Sequence, residues 1–180
     1  MKVLVVITIS GPHGAGKSTY AKAIANALNI RYISSGQFFR TLAEQSGLDL
    51  SAFSKLCEKD KTIDEKIDQM SIEEAKKGNA ILEGQLVSWM AKNYSDLNIY
   101  VTASNETRIK RISMRDGLDF KKADKLTLIR SKSEYNRFKR LYKIDINNMD
   151  IYDLILNTDH LSKEKSIAIL IAACKEFTKN

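Results

Sequence analysis

The sequence predicts an α/β fold in three layers, a five-stranded parallel sheet with helices on both faces. Three observations predict it. Residues 3 to 9, VLVVITI, form a continuous and mostly β-branched run of the kind found in a strand covered on both sides. A glycine-rich stretch, GPHGAGKST at 11 to 19, follows that run and leads into a helical pattern. Four further short apolar runs alternate with helical patterns, which implies parallel strands joined by right-handed crossovers.

The elements follow in chain order. From Ser18 to Asn29, residues Ala21, Ile24, Ala25 and Leu28 recur at i, i+3, i+4 and i+7, so this segment is an amphipathic helix packed on the sheet. RYIS at 31 to 34 is the second strand. Residues 37 to 77 read as helix, strongly charged towards the end, and form no sheet layer. NAILE (79 to 83), LNIYVTA (97 to 103) and YDLILN (152 to 157) complete the five strands. Residues 115 to 145 carry RSKSEYNRFKRLYK; on charge alone this is a solvated helix, and with 37 to 77 it is a candidate cover over the sheet. Ligands of such a sheet bind beyond the carboxyl ends of its strands.

At 180 residues the chain is one domain, too short for two independent enzyme domains. Hydrophobic residues make up 43% and charged residues 28%, the balance of an ordinary globular protein rather than a disordered one. No run approaches the roughly 20 apolar residues that span a bilayer. The apolar start is a short h-region without a cleavage site, so a cytoplasmic protein is expected. Cys57 and Cys174 stand in no metal-ligand spacing and read as reduced thiols. The 29 basic residues outnumber 22 acidic ones, for a net charge of +7 that favours anionic partners or merely a solvated surface.

Position decides between those two. Gly11, Gly16, Lys17 and Ser18 complete the pattern G-x-x-x-x-G-K-[ST] between a strand and a helix, the mark of a P-loop NTPase fold. Three of the eight glycines fall here, where any Cβ would obstruct backbone amides curling round phosphates. Gly11, Pro12, His13, Gly14, Ala15, Gly16, Lys17, Ser18 and Thr19 are therefore candidate ATP-binding residues. Lys17 supplies a point charge to the β- and γ-phosphates and Ser18 a hydroxyl to Mg²⁺. At His13 the backbone NH is expected to matter more than the imidazole. Glu83, ending the third strand, stands where a carboxylate orders Mg²⁺ through water; an ordinary strand-end glutamate is the other reading. His160 reads as an exposed neighbour of a helix cap.

A switch GTPase would carry DxxG and NKxD downstream, and neither is present. Instead GPHGAGKST, ISSGQFFR, ILEGQLVSWMA, TASNETRIKRISMRDG, the basic helix and IYDLILNT follow in fixed order. In this series the chain resembles the nucleoside monophosphate kinases, and is most similar to the archaeal-type cytidylate kinases, from about residue 3 to about residue 178. The resemblance implies an NMP-binding insert at about 35 to 77 and a lid at about 115 to 145. It assigns Ser35, Gly36, Arg40, Gly84, Gln85, Arg130, Glu134 and Arg137 to the acceptor nucleotide, and Arg111 and Arg115 to ATP. Lys17, Arg111, Arg130 and Arg137 are its expected catalytic residues. Read alone, Ser35 is a helix cap, Arg40 a surface residue, and the arginines a solvated ladder extended by Arg140. Relatives commonly have arginine where this chain has Gln85, and a neutral amide carries no guanidinium charge. Asn157 and Thr158 fall where relatives touch adenine, while Trp89 and Met90 read as packing.

The resemblance implies transfer of the γ-phosphoryl of ATP, with Mg²⁺, to CMP or dCMP by a monomer. AMP or UMP as acceptor, with the same fold and chemistry, is the alternative. A nucleotide-dependent RNA-binding or maturation factor is the rival from another class; without an aromatic stacking sheet or recognised RNA module, a nucleic-acid partner is not expected.

Overall fold

A computed structural model describes residues 5–178 of the chain. Five parallel strands, β1 (Val6–Ser10), β2 (Arg31–Ser34), β3 (Ala80–Glu83), β4 (Leu97–Thr102) and β5 (Leu154–Asn157), lie in the order β2-β3-β1-β4-β5. The α/β sandwich and all five strand assignments hold. Of the first apolar run, Val3 and Leu4 lie outside the described residues, and the strand extends one residue past it to Ser10. The three other long apolar runs each begin one or two residues later as strands than the apolar pattern does, or end one earlier.

Every residue of β1 is buried, as a central strand requires. Its side chains alternate between faces. Ile7 and Ile9 join Ile24 of α1 (Lys17–Leu28), Ile81, Ile99 and Leu170 of α8 (Lys163–Phe177) in the main core. On the opposite face Val6 packs with Leu82, Val87 and Ala91 around α5 (Val87–Met90). Thr8 and Ser10 also point there; their hydroxyls meet Ser88 Oγ at 2.7 and 2.9 Å, and Thr8 donates to Asn98 Oδ1 at 2.7 Å. Buried polar groups satisfied this way tie the central strand to α5. Cys57 and Cys174 are buried and not disulfide-bonded.

The charged stretch after β2 resolves into three helices: α2 (Ser35–Gln45), α3 (Leu50–Lys59) and α4 (Thr62–Lys76). They keep a small core of their own, Ala43, Phe53 and Cys57, with Phe39 and Phe53 edge to face at 5.0 Å. Ser34, not Ser35, is the N-cap of α2, its Oγ accepting from Gln37 N at 3.0 Å. After β4, α6 (Asn105–Asp116) stops at Gly117, whose left-handed φ of 64° ends the helix. Asp119 then caps α7 (Phe120–Tyr142), a continuous helix of 23 residues. Ile109 and Ile112 pack on Ala123 to join the two helices.

Candidate active site

At the carboxyl end of the sheet the register aligns Ile9 of β1 with Glu83 of β3, and Glu83 with Ser34 of β2. The strands thus deliver the glycine-rich loop, a carboxylate and the start of α2 to one edge, where the strand order reverses. Here a cavity of about 1010 Å³ opens between the sheet, the three-helix insert and α7.

The loop between β1 and α1 needs its glycines. Gly11 has φ 147°, and a Cβ on it would stand 2.1 Å from Val101 O; one on Gly14, at φ 80°, would stand 2.5 Å from Arg108 O. No L side chain fits either place without moving backbone. Lys17 Nζ donates to Gly11 O at 2.8 Å and to Pro12 O at 3.1 Å, so the ammonium lies along the inside of the loop. Burial holds Lys17 below the usual lysine range, against the opposing pull of Glu83 and Glu134.

Glu83 is 4% exposed. A single oxygen of its carboxylate, Oε1, accepts from Ser18 Oγ at 3.0 Å, Tyr32 Oη at 3.2 Å and Ser34 Oγ. Next to it Gly84 leaves room for α2: a Cβ there would come 2.0 Å from Ser35 Oγ and force that side chain to move. Ser35 Oγ donates to Glu83 O at 3.2 Å, which seats α2 against the end of β3. A hydroxyl and a carboxylate 3.0 Å apart at the start of α1 are hard oxygen donors of the type Mg²⁺ takes. Among the described residues no group of three or more His, Cys, Asp and Glu is placed to hold a metal ion.

Seventeen of the twenty predicted site residues line the cavity; Gly11, Pro12 and Ala15 do not. Gly11 and Pro12 still turn their carbonyls to Lys17, and Ala15 is fully buried beneath the loop. Arg111 donates to Thr158 Oγ1 at 3.0 Å and to Thr158 O at 3.3 Å, joining α6 to the turn after β5. Arg115 pairs with Asp116 at 2.7 Å, and Arg40 donates to Gln37 at 3.0 Å. Arg130 Nε donates to Glu134 Oε1 at 3.0 Å. Arg140 does not extend the cavity face: it donates to Glu58 O on α3 at 2.7 Å. Asn157 lies outside the lining, its Oδ1 accepting from Asp159 N.

The imidazole of His13 is engaged, where the backbone NH was expected to matter more. His13 Nε2 lies 2.6 Å from Glu134 Oε2, and Gln85 Nε2 donates to the same oxygen. Burial holds His13 below its ordinary value, with Glu134 pulling the other way. Burial opposes the charge of Glu134 also, yet the His13 contact and Arg130 bring it down to about 2.

Two site residues escaped the sequence reading. Asp64 and Asp68 of α4 line the cavity with Ile67. Asp64 Oδ2 lies 2.8 Å from Arg137 Nε, both residues about 5% exposed or less. That contact lacks hydrogen-bond alignment: Asp64 Oδ2, Arg137 Nε and Arg137 Nη1 are buried without a hydrogen-bond partner among the described residues. Burial pushes Asp64 and Asp68 up to about 6, although Arg137 draws Asp64 down and the hydroxyl of Tyr142 does so for Asp68. The available signal was spacing. Asp64, Ile67, Asp68, Ser71 and Ala75 share one face of α4, so two carboxylates stand on the side that packs inward.

The profile of the Cytidylate kinase-like family matches residues 6–160. The chain is 44% identical over 176 residues to the cytidylate kinase of Staphylothermus marinus, spanning 98% of this chain and 99% of that one. To the cytidylate kinase of Methanocaldococcus jannaschii it is 41% identical over 177 residues, 97% and 99% of the two chains. Among solved structures, shikimate kinase from Acinetobacter baumannii in complex with shikimate has a TM-score of 0.63 at 15% identity, covering 99% of this chain and 96% of that one. An uncharacterized protein from Eubacterium ventriosum reaches 0.73 at 17% identity, covering 95% and 98%. At such identities these two structures speak for the fold alone.

Proposed function

The chain belongs to the cytidylate kinase-like family, and on that premise we propose that it transfers the γ-phosphoryl group of ATP to CMP or dCMP. The observation that carries the choice of acceptor is the buried Asp64–Arg137 ion pair in the wall of the cavity, with Arg137 Nη1 without a hydrogen-bond partner among the described residues. Cytosine presents an amino group that donates, beside a ring nitrogen and a carbonyl that accept. A carboxylate and a guanidinium side by side match that pattern. Uracil puts a carbonyl where the amino group was, against the carboxylates, so a buried acceptor would face a buried acceptor.

In this reading the glycine-rich loop and Lys17 hold the donor's outer phosphates, and α1 adds its positive end. Ser18 and Glu83 hold Mg²⁺, Glu83 through water. Held there, the ion would supply positive charge against the phosphates. Lys17 turns from the carbonyls of Gly11 and Pro12 to the phosphates. Arg111 and Arg115 address ATP; Ser35, Gly36, Arg40, Gly84, Gln85, Arg130, Glu134 and Arg137 address the acceptor. The insert spans about residues 35 to 77 and the lid about 115 to 145. The attacking oxygen is already anionic, so no general base is required, and the rate comes from alignment and charge neutralisation by Lys17, Arg111 and Arg130, with Arg137, expected from the resemblance to join them, engaged instead by Asp64 at the base. A closed α7 keeps water from the γ-phosphoryl group.

No helix among the described residues is long and apolar enough to cross a membrane, and we expect a monomer acting in the cytoplasm. The test is direct. Protein incubated with Mg-ATP and, separately, CMP, dCMP, UMP, AMP or GMP should form CDP and dCDP fastest. A faster reaction with AMP or UMP would overturn the acceptor, and none with any of them the activity.

A further inference from the structure

With His13 as the Nε2–H tautomer, the one that can donate to an ionised carboxylate, three elements aim donors at Glu134. His13 comes from the loop between β1 and α1, Gln85 from the turn between β3 and α5, and Arg130 from α7. His13 Nε2 and Gln85 Nε2 meet Glu134 Oε2, lying 2.8 Å from each other, while Arg130 Nε holds Oε1 at 3.0 Å. Glu134 is 6% exposed, and all four residues line the cavity. An oxygen that draws two N–H groups from separate parts of the chain has the surroundings of a phosphate oxygen: anionic, with several lone pairs and little water.

Its location is equally telling. His13 stands on the donor's loop. Gln85 follows Gly84, which packs directly on Ser35 of the acceptor side. Glu134 Oε2 therefore lies at the junction of the two halves of the cavity, where the acceptor's phosphate must come to receive a group from the loop.

We propose that His13 and Gln85 together position the acceptor's phosphate, and that Glu134 Oε2 marks the place of one of its oxygens. This rests on the acceptor reading above. Neither side chain alone offers the two parallel N–H groups of a guanidinium. The imidazole and the amide, 2.8 Å apart, supply one each. For the phosphate to take these donors, the Glu134 carboxylate swings off them on its side chain, and Arg130, its i−4 neighbour on α7, can turn with it.

A contact to phosphate leaves a signature that a structural role does not: it is felt by the nucleotide and not by the nucleoside. Titration calorimetry on the full chain with CMP and with cytidine reads that difference. His13→Ala should weaken CMP about tenfold while cytidine shifts by less than about twofold. His13→Asn, which keeps an N–H, should lose less and serves if His13→Ala fails to fold. Adding Gln85→Arg to His13→Ala should restore most of the CMP affinity. Equal weakening of both ligands, or unchanged CMP binding in both His13 variants, would overturn the inference. A wild-type chain that binds neither ligand would sink the acceptor reading itself, and this inference with it.

Discussion

Arg137 of α7 and Asp64 of α4 face each other in the interior, Nε to Oδ2 at 2.8 Å, with Arg137 Nη1 without a hydrogen-bond partner among the described residues. Taking two charges out of water costs several kcal/mol each, and poor alignment returns less of it, so such a pair is poorly explained as a source of stability. In the proposed function a polar ligand completes it.

Removing one partner exposes that cost. Asp64→Ala strands a buried guanidinium and should lower unfolding free energy by about 3 to 5 kcal/mol, measured by urea denaturation. The double change Asp64→Leu with Arg137→Met should recover most of that loss yet still fail to bind cytidine. A stable double variant with normal cytidine affinity would show that the pair does not read the base.

Protonation should mimic the loss. Asp64 and Asp68 are raised to about 6 in the folded chain, and the base's amino group needs an ionised acceptor. Affinity is then full above that value and falls as protons bind. Cytidine, which has no phosphate to titrate, should bind more weakly as pH drops from about 7 to about 5, and Asp64→Asn should flatten the dependence. A flat wild-type profile by calorimetry would contradict this.

Lys17→Ala should reduce turnover by about a hundredfold or more while its thermal midpoint stays level or rises. Burial already disfavours the Lys17 ammonium, so deleting it relieves a cost to folding. Coupled-assay kinetics beside a melting curve decide the matter; near-normal turnover would remove Lys17 from its assigned role.

Gly84→Ala tests the seam between strand and insert. The new Cβ would lie 2.0 Å from Ser35 Oγ and 2.9 Å from Val87 Cγ1, which displaces the start of α2 at a cost of about 1 to 3 kcal/mol. KM for CMP should rise severalfold with KM for ATP nearly unchanged. Equal changes in both would show that the seam serves the whole cavity.

The sheet and the phosphate loop were legible because both are local signals: β-branched runs for the strands, and Gly11, Gly14 and Gly16 beside Lys17 for the loop. The partition of the insert into three helices was not, because its charged residues obscure the turns near Gly47 and Asp60. Least legible were contacts between residues far apart in the chain. Glu134 stands 121 positions from His13 and 49 from Gln85, and nothing in either segment names the other. Asp64 reads as one more solvated acid until α4 is seen to turn it inward against Arg137.

Four grips along α7 belong to the insert. Ser133 and Arg140 hold Glu58, Arg137 meets Asp64, and Tyr142 donates to Asp68. Through Glu134 the same helix touches residue 13, about 12 Å back along its axis from Tyr142. The helix is thus pinned to the insert at four side chains and to the glycine-rich loop at a fifth. Lifting α7 away from the cavity would have to break both sets of contacts together.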